Sequence, residues 1–142
     1  MKSTALAAFL ILVWMSAQAV PALAAPESVT SALARTGTAS CKPALAFFCR
    51  NIHVRCSGRS TIPTFAFDIT INAGQAVLKP TGDNGEATMA PRSGPVEWAN
   101  DQAYVIVWLR PRPGYLKIAA DGRYIFRHYF RDTGYMSYGS CR

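Results

Sequence analysis

The chain has 142 residues, which is enough for one domain and too few for two of ordinary size. Hydrophobic residues make up 50% of it and aromatic residues 11%, so it can bury a core and is not a disordered, collagen-like or coiled-coil sequence. Lys and Arg outnumber Asp and Glu by 15 to 8, which excludes an acidic-tail protein and favours anionic partners.

The first 24 residues are predicted to be a secretory signal peptide. Lys2 provides the positive start, residues 5–15 (ALAAFLILVWM) are an apolar stretch of 11 residues, and residues 22–24 (ALA) form a cleavage site. The stretch is too short to cross a bilayer as a helix; an uncleaved anchor is the alternative. Cleavage after Ala24 leaves 14 basic and 8 acidic residues, a net charge of +6. We therefore expect a periplasmic or secreted protein with no membrane span after cleavage.

The exported part is predicted to have two regions. Residues 25–40 are a flexible N-terminal segment, in which residues 27–34 form at most one or two helical turns, because so short a helix is marginal by itself. Residues 41–142 form a single β domain without internal repeats or a linker.

All four cysteines, Cys41, Cys49, Cys56 and Cys141, lie in the β domain. An even number in a small exported chain is typical of disulfides, and neither a C-x2-C pair nor partnered histidines suggest a metal. If residues 47–56 (FFCRNIHVRC) form one strand, Cys49 and Cys56 lie about 23 Å apart, too far for a disulfide. This leaves Cys41–Cys49 with Cys56–Cys141, or Cys41–Cys56 with Cys49–Cys141. We favour the first pairing, because a turn that starts at Lys42-Pro43 can bring Cys41 back near Cys49.

Alternating hydrophobic residues predict that the domain is nearly all β. In residues 62–71 (IPTFAFDITI) the alternation is clearest, with Phe65, Phe67, Ile69 and Ile71 on one face. Residues 103–109 (AYVIVWL) are almost continuously apolar, which predicts a strand covered on both faces. Further strands are predicted at residues 75–79, 115–119, 123–131 and 135–141, with turns at 72–74 and 121–122.

Residues 80–94 are predicted to be a loop around at most a brief strand at 87–89. The chain thus has about seven predicted strands with short turns, and a disulfide is predicted to link the first strand to the last. This pattern predicts a small antiparallel β-barrel or sandwich with meander topology.

Residues 54–58 (VRCSG), residues 121–124 (DGRY) and Cys141 resemble the small periplasmic inhibitors of c-type lysozyme. The resemblance implies an eight-stranded antiparallel barrel with a disulfide that holds the C-terminal strand, and inhibition of a lysozyme as the function. The family's inhibitory loop carries a Ser-Gly-x-x-Tyr-like motif, to which Gly122 and Tyr124 would correspond. A second family motif with Trp, Lys and Gly has no counterpart here, and a net charge of +6 opposes binding to a basic lysozyme.

The sequence shows none of the patterns typical of an enzyme. No serine lies in a G-x-S-x-G motif, the acidic residues form no close repeated pair, and there is no glycine-rich phosphate loop. We therefore predict a non-catalytic protein without a cofactor or a metal. His53 and His128 are interpreted as partly buried, hydrogen-bonded histidines.

The strongest candidate site lies in residues 123–131 (RYIFRHYFR). Arg123, Arg127, Tyr129 and Arg131 fall on one face of the predicted strand, and alternate residues face the core. Arginine binds phosphate and carboxylate through two parallel hydrogen bonds, which predicts an anion-binding face. The alternative is a solvated face that keeps the chain soluble.

The predicted function is therefore that of an exported binding protein of the cell envelope. Its partner would be an anionic envelope component or an acidic protein, and nucleic acid is not expected because no nucleic-acid motif is visible. An inhibitor of a secreted hydrolase such as lysozyme is the alternative.

Overall fold

The computed structural model describes residues 26–50, 65–81, 90–99, 101–111, 113–130 and 133–142. The predictions for the signal peptide, His53, Cys56, Arg131 and the brief strand at 87–89 lie outside these residues. The described residues form one helix and eight strands, namely α1 (Val29–Thr36), β1 (Thr38–Arg50), β2 (Ala66–Asn72), β3 (Gln75–Thr81), β4 (Arg92–Ala99), β5 (Tyr104–Trp108), β6 (Gly114–Ala119), β7 (Arg123–Phe130) and β8 (Thr133–Cys141).

The eight strands form a closed antiparallel barrel. Each strand pairs with the next one in sequence, and β8 pairs with β1 to close the sheet. The closing pair extends from Cys41 opposite Cys141 to Arg50 opposite Thr133, with one register shift between Pro43 and Leu45. The predicted all-β meander barrel is confirmed, and of the two architectures considered the barrel is the correct one. It has eight strands instead of about seven.

The inside of the barrel is packed with side chains. Inward-facing residues from the strands are almost fully buried, among them Phe67, Ile69, Leu78, Val105, Val107, Leu116, Ile118, Tyr124 and Phe126. The ring of Phe67 meets that of Tyr124 edge-on, with centroids 5.3 Å apart. The predicted core face of residues 62–71 is thus confirmed at Phe67 and Ile69. The described interior is a core, as expected for a barrel of eight strands filled by its own side chains.

Helix α1 packs against the barrel through Leu33. Ser28 caps its first turn by accepting a hydrogen bond from the backbone N–H of Ser31 at 3.1 Å. Gly37, with φ +71°, ends it in the left-handed conformation. Leu33 is 1% exposed and belongs to the core cluster, so tertiary packing stabilises a helix of eight residues that would be marginal alone. The segment predicted at residues 25–40 therefore carries α1 and the first residues of β1.

The disulfides differ from both predicted pairings. Cys41 is bonded to Cys141, and the two residues lie directly opposite each other in β1 and β8. Cys49 is disulfide-bonded as well. The remaining cysteine of the sequence, Cys56, lies outside the described residues. A covalent link between the first and last strands is confirmed, but it joins Cys141 to Cys41 instead of to Cys56.

The favoured pairing was wrong because β1 continues through Lys42 and Pro43 without the expected turn. We expected a turn at Lys42-Pro43 and one straight strand through residues 47–56. Instead β1 begins at Thr38, continues past Pro43 with a register shift, and ends at Arg50. Cys41 is thereby placed beside β8. Residues 51–56 of the expected strand lie outside the described residues.

Two further strand predictions are corrected. Strand β4 begins at Arg92, inside the loop that was expected at residues 80–94 because that stretch is rich in Gly, Pro and polar residues, and it continues to Ala99, where no strand was predicted. Gly94 is required there by close packing, since a Cβ atom would collide with the carbonyl oxygen of Trp108. Strand β5 is not covered on both faces: Val105 and Val107 are buried, but Trp108 is exposed on the outer surface.

Burial of Tyr124 makes stability depend on pH in alkaline solution. Loss of solvation raises the pKa of this phenol to about 12, although the Ser137 hydroxyl opposes the shift. An unfolded tyrosine ionises near pH 10, so the stabilisation is complete below about pH 10 and is lost as pH rises towards about 12. We expect the urea midpoint to fall over this interval, and to fall less in Tyr124→Phe. Tyr115→Phe, on the outer surface, is the control. An equal fall of the midpoint in the parent, Tyr124→Phe and Tyr115→Phe would show that Tyr124 does not cause the pH dependence.

Candidate anion-binding face

The outer surface of the barrel has two unlike halves. Strands β2 to β4 carry both signs of charge, including Asp68 and Glu97. The sequences of the other five strands, β5 to β8 and β1, contain no Asp or Glu. Their described outward-facing side chains, which we call the basic face, include four cations: Lys42, Lys117, Arg123 and Arg127.

Strand register arranges the basic face into rows that cross the strands. The first, the Tyr138 row, consists of Ile106, Lys117, Ile125, Tyr138 and Leu45, each opposite the next. The second, the Trp108 row, consists of Trp108, Tyr115, Arg127, Met136 and Phe47. Because directly opposite side chains lie about 5 Å apart, the rows form a continuous surface of cations, rings and aliphatic groups.

A groove of about 400 Å³ lies over β6 to β8 on this face. It is lined by Lys117, Ala119, Arg123, Tyr124, Ile125, Tyr138 and Gly139. Most of these groups are apolar, and the cations among them are Lys117 and Arg123. A groove of this size and composition is typical of a site that holds a small ligand or one unit of a polymer.

Neighbouring groups orient the cations of the basic face. The Lys117 ammonium lies 4.0 Å from the centre of the Tyr104 ring, and the Arg127 guanidinium lies 5.7 Å from that of Tyr129. The Nε of Arg123 donates to Asp121 Oδ2 at 2.6 Å, and its backbone N–H donates to Oδ1 of the same carboxylate. These hydrogen bonds hold the pKa of Asp121 below its usual value.

The ion pair with Asp121 does not prevent Arg123 from binding a ligand. The Arg123 side chain is 84% exposed, and an ion pair in water contributes little stability. A ligand carboxylate or phosphate can therefore compete with Asp121 at small cost.

The structure brings most of the predicted site residues onto one face. Arg123, Arg127 and Tyr129 alternate with the inward-facing Tyr124 and Phe126. The predicted assignment of the two faces of β7 is therefore correct at these positions.

Strands β5 and β6 contribute a part of the basic face that was not predicted from the sequence. Lys117 lies directly opposite Ile125, and Tyr115 lies opposite Arg127. The hairpin predicted at residues 121–122 was the available signal, because it already placed residues 115–119 alongside 123–131. Trp108 gave no comparable signal, since its strand was expected to be covered on both faces.

No family model, curated protein or solved structure matches this chain. In the ranges that the structure describes, no helix has both the length and the apolar character needed to cross a membrane. Nor do three or more His, Cys, Asp or Glu side chains gather as metal ligands within those ranges. The geometry of the basic face therefore carries the functional argument.

Proposed function

We propose that this protein is an exported, non-catalytic binding protein of the cell envelope, and that its basic face takes an anionic ligand or polymer. The observation that carries the proposal is the charge distribution: five adjacent strands contain no acidic residue while four cations point outward from them. Such a surface attracts anions and repels other cationic surfaces. The signal-like N-terminus and the disulfides support export to an oxidising compartment.

The apolar content of the face favours binding over a role in solubility alone. A surface that only keeps a protein soluble mixes charges of both signs and exposes few large rings. Here Trp108 is 47% exposed, and Tyr115 lies beside it with ring centroids 6.1 Å apart. Exposed apolar surface bordered by charge is typical of an interaction site.

Removing two cations of β7 tests the proposal. We expect Arg123→Gln/Arg127→Gln to leave a heparin column at clearly lower salt than the parent, because exposed charges attract a polyanion over about 8 Å at physiological ionic strength. The double variant should stay folded, since exposed substitutions usually change stability by less than about 0.5 kcal/mol each.

The matched control is Arg35→Gln/Lys79→Gln, which removes the same charge from exposed positions in α1 and β3, outside the basic face. It should elute close to the parent. Equal retention of the parent and the β7 variant would contradict the proposal, and so would an equal loss in the control, since net charge alone would then explain retention.

Inhibition of a lysozyme receives less support from the structure. Tyr124, which the resemblance would place in the inhibitory motif, is 2% exposed and packs on Phe67 in the core. Such a side chain cannot reach into the cleft of another protein without unfolding its strand. This alternative would be favoured if the protein inhibits a c-type lysozyme stoichiometrically and if Arg123→Gln/Arg127→Gln inhibits that lysozyme equally well.

A further inference from the structure

We infer that the anionic ligand is an acidic carbohydrate polymer, whose sugar rings pack on Trp108 and Tyr115 and whose carboxylates bind Arg127 and Lys117. This inference rests on the proposed function and names the class of ligand. It places the polymer across the strands, along the Trp108 row, instead of along β7.

The arrangement of rings and cations in this row supports such a ligand. Trp108, Tyr115 and Arg127 lie opposite one another on three adjacent strands, so two aromatic rings lead directly to a guanidinium. The C–H groups on one side of a sugar ring are weakly positive and pack favourably on the negative face of an aromatic ring. The row crosses four strand-to-strand steps of about 4.8 Å, or about 19 Å, which gives room for several units of a polymer.

The surroundings of Trp108 distinguish a sugar polymer from an anionic bilayer. The indole Nε1 donates to Oε2 of Glu97 at 3.0 Å, and this carboxylate is exposed. The bond orients the ring, and the same carboxylate can accept hydrogen bonds from ligand hydroxyl groups. A sugar polymer can place a ring with its hydroxyl groups beside Glu97 and its carboxylates at Arg127, two strands away from Trp108. A bilayer presents phosphate charge over its whole surface, including opposite this carboxylate.

The closed barrel argues against an acidic peptide as the ligand. Extended peptides commonly bind sheets by adding a strand to an exposed edge. Among the described strands each one is paired on both sides, so none offers such an edge. A second copy of the chain is also disfavoured, because two basic faces without acidic residues in their strands would repel each other.

Three soluble polymers and one vesicle separate these ligands. The protein used is the mature chain with Trp98→Phe, in which Trp108 is the one tryptophan after residue 24. We expect alginate, a polyuronate, to shift the emission of Trp108 and to bind at least about tenfold more tightly than poly-L-glutamate, which has the charge without the rings. Dextran, which has rings without charge, should bind weakly. Phosphatidylglycerol vesicles should bind less tightly than alginate.

The contact between the sugar rings and Trp108 is then tested by calorimetry on variants of the mature chain that keep Trp98. Trp108→Ala should weaken alginate binding by about tenfold, as for a central aromatic contact. Val77→Ala, which removes an exposed apolar side chain from β3, should leave binding unchanged. If Trp108→Ala does not fold, Tyr115→Ala gives the same measurement.

The outcomes separate the two proposals. If poly-L-glutamate or the vesicles bind as tightly as alginate, or if Trp108→Ala binds alginate as the parent does, the carbohydrate inference is wrong and anion binding stands. If none of the anionic probes binds, both proposals are wrong.

Discussion

Replacing Cys41 and Cys141 together by Ala is expected to lower the free energy of unfolding by about 4 to 5 kcal/mol. The two residues are separated by 100 positions in the sequence, and cross-linking so long a loop removes much of the conformational entropy of the unfolded chain. Both cysteines are also buried where β1 meets β8, so the substitution removes packing at the closure of the barrel. The loss should appear in urea denaturation under non-reducing conditions.

The fully reduced parent is the control for this experiment. Because reduction also breaks the disulfide of Cys49, the reduced parent should be no more stable than the double variant. A loss below about 1 kcal/mol would mean that the strand pairing and core packing close the barrel with little help from the cross-link.

Phe67→Ala should cost about 3 to 5 kcal/mol of unfolding free energy, the usual range for a buried aromatic side chain cut to Ala. Phe67 is 3% exposed, and its ring contacts those of Tyr124 and Phe126 inside the barrel. The resulting cavity would lie within the buried core cluster, between strands that are each paired on both sides, which limits how far the neighbours can relax into it.

The adjacent residue gives a matched control for Phe67→Ala. Asp68 points outward and accepts a hydrogen bond from the Ser40 hydroxyl at 2.7 Å. Asp68→Ala should therefore cost only about 1 kcal/mol, the usual contribution of one such bond. Similar losses for the two variants in urea denaturation would show that the assignment of the two faces of β2 is wrong.

Local patterns were enough to predict the strands whose two faces differ. In β2 and β7 large apolar residues alternate with polar ones, because one face of each strand is core and the other is solvent. The first half of β1 was missed because Pro43 was expected to start a turn, and β4 because Gly94 closes a stretch rich in residues that usually interrupt strands. A barrel tolerates them where the register shifts or where a neighbouring backbone approaches closely.

The candidate site was only partly predictable for a related reason. Alternation along β7 placed Arg123 and Arg127 on one face, because successive residues of a strand point to opposite faces and position along the strand therefore sets the face. The pairing of Trp108 with Tyr115, and of Cys41 with Cys141, depends on which strands meet and in what register. Such contacts are set by the whole sheet and leave little trace in any short stretch of sequence.

The closing pair of strands is also the one whose formation requires the most distant parts of the chain to meet. Among the described strands, seven pairings join neighbours along the chain and one, between β1 and β8, joins the two ends. Short hairpins can form early because their loops close at little entropic cost, whereas the last pairing must bring together residues about a hundred positions apart. Until it forms, β1 and β8 are open edges that can pair with other chains. Once β1 and β8 have paired, the Cys41–Cys141 disulfide keeps these two edges joined.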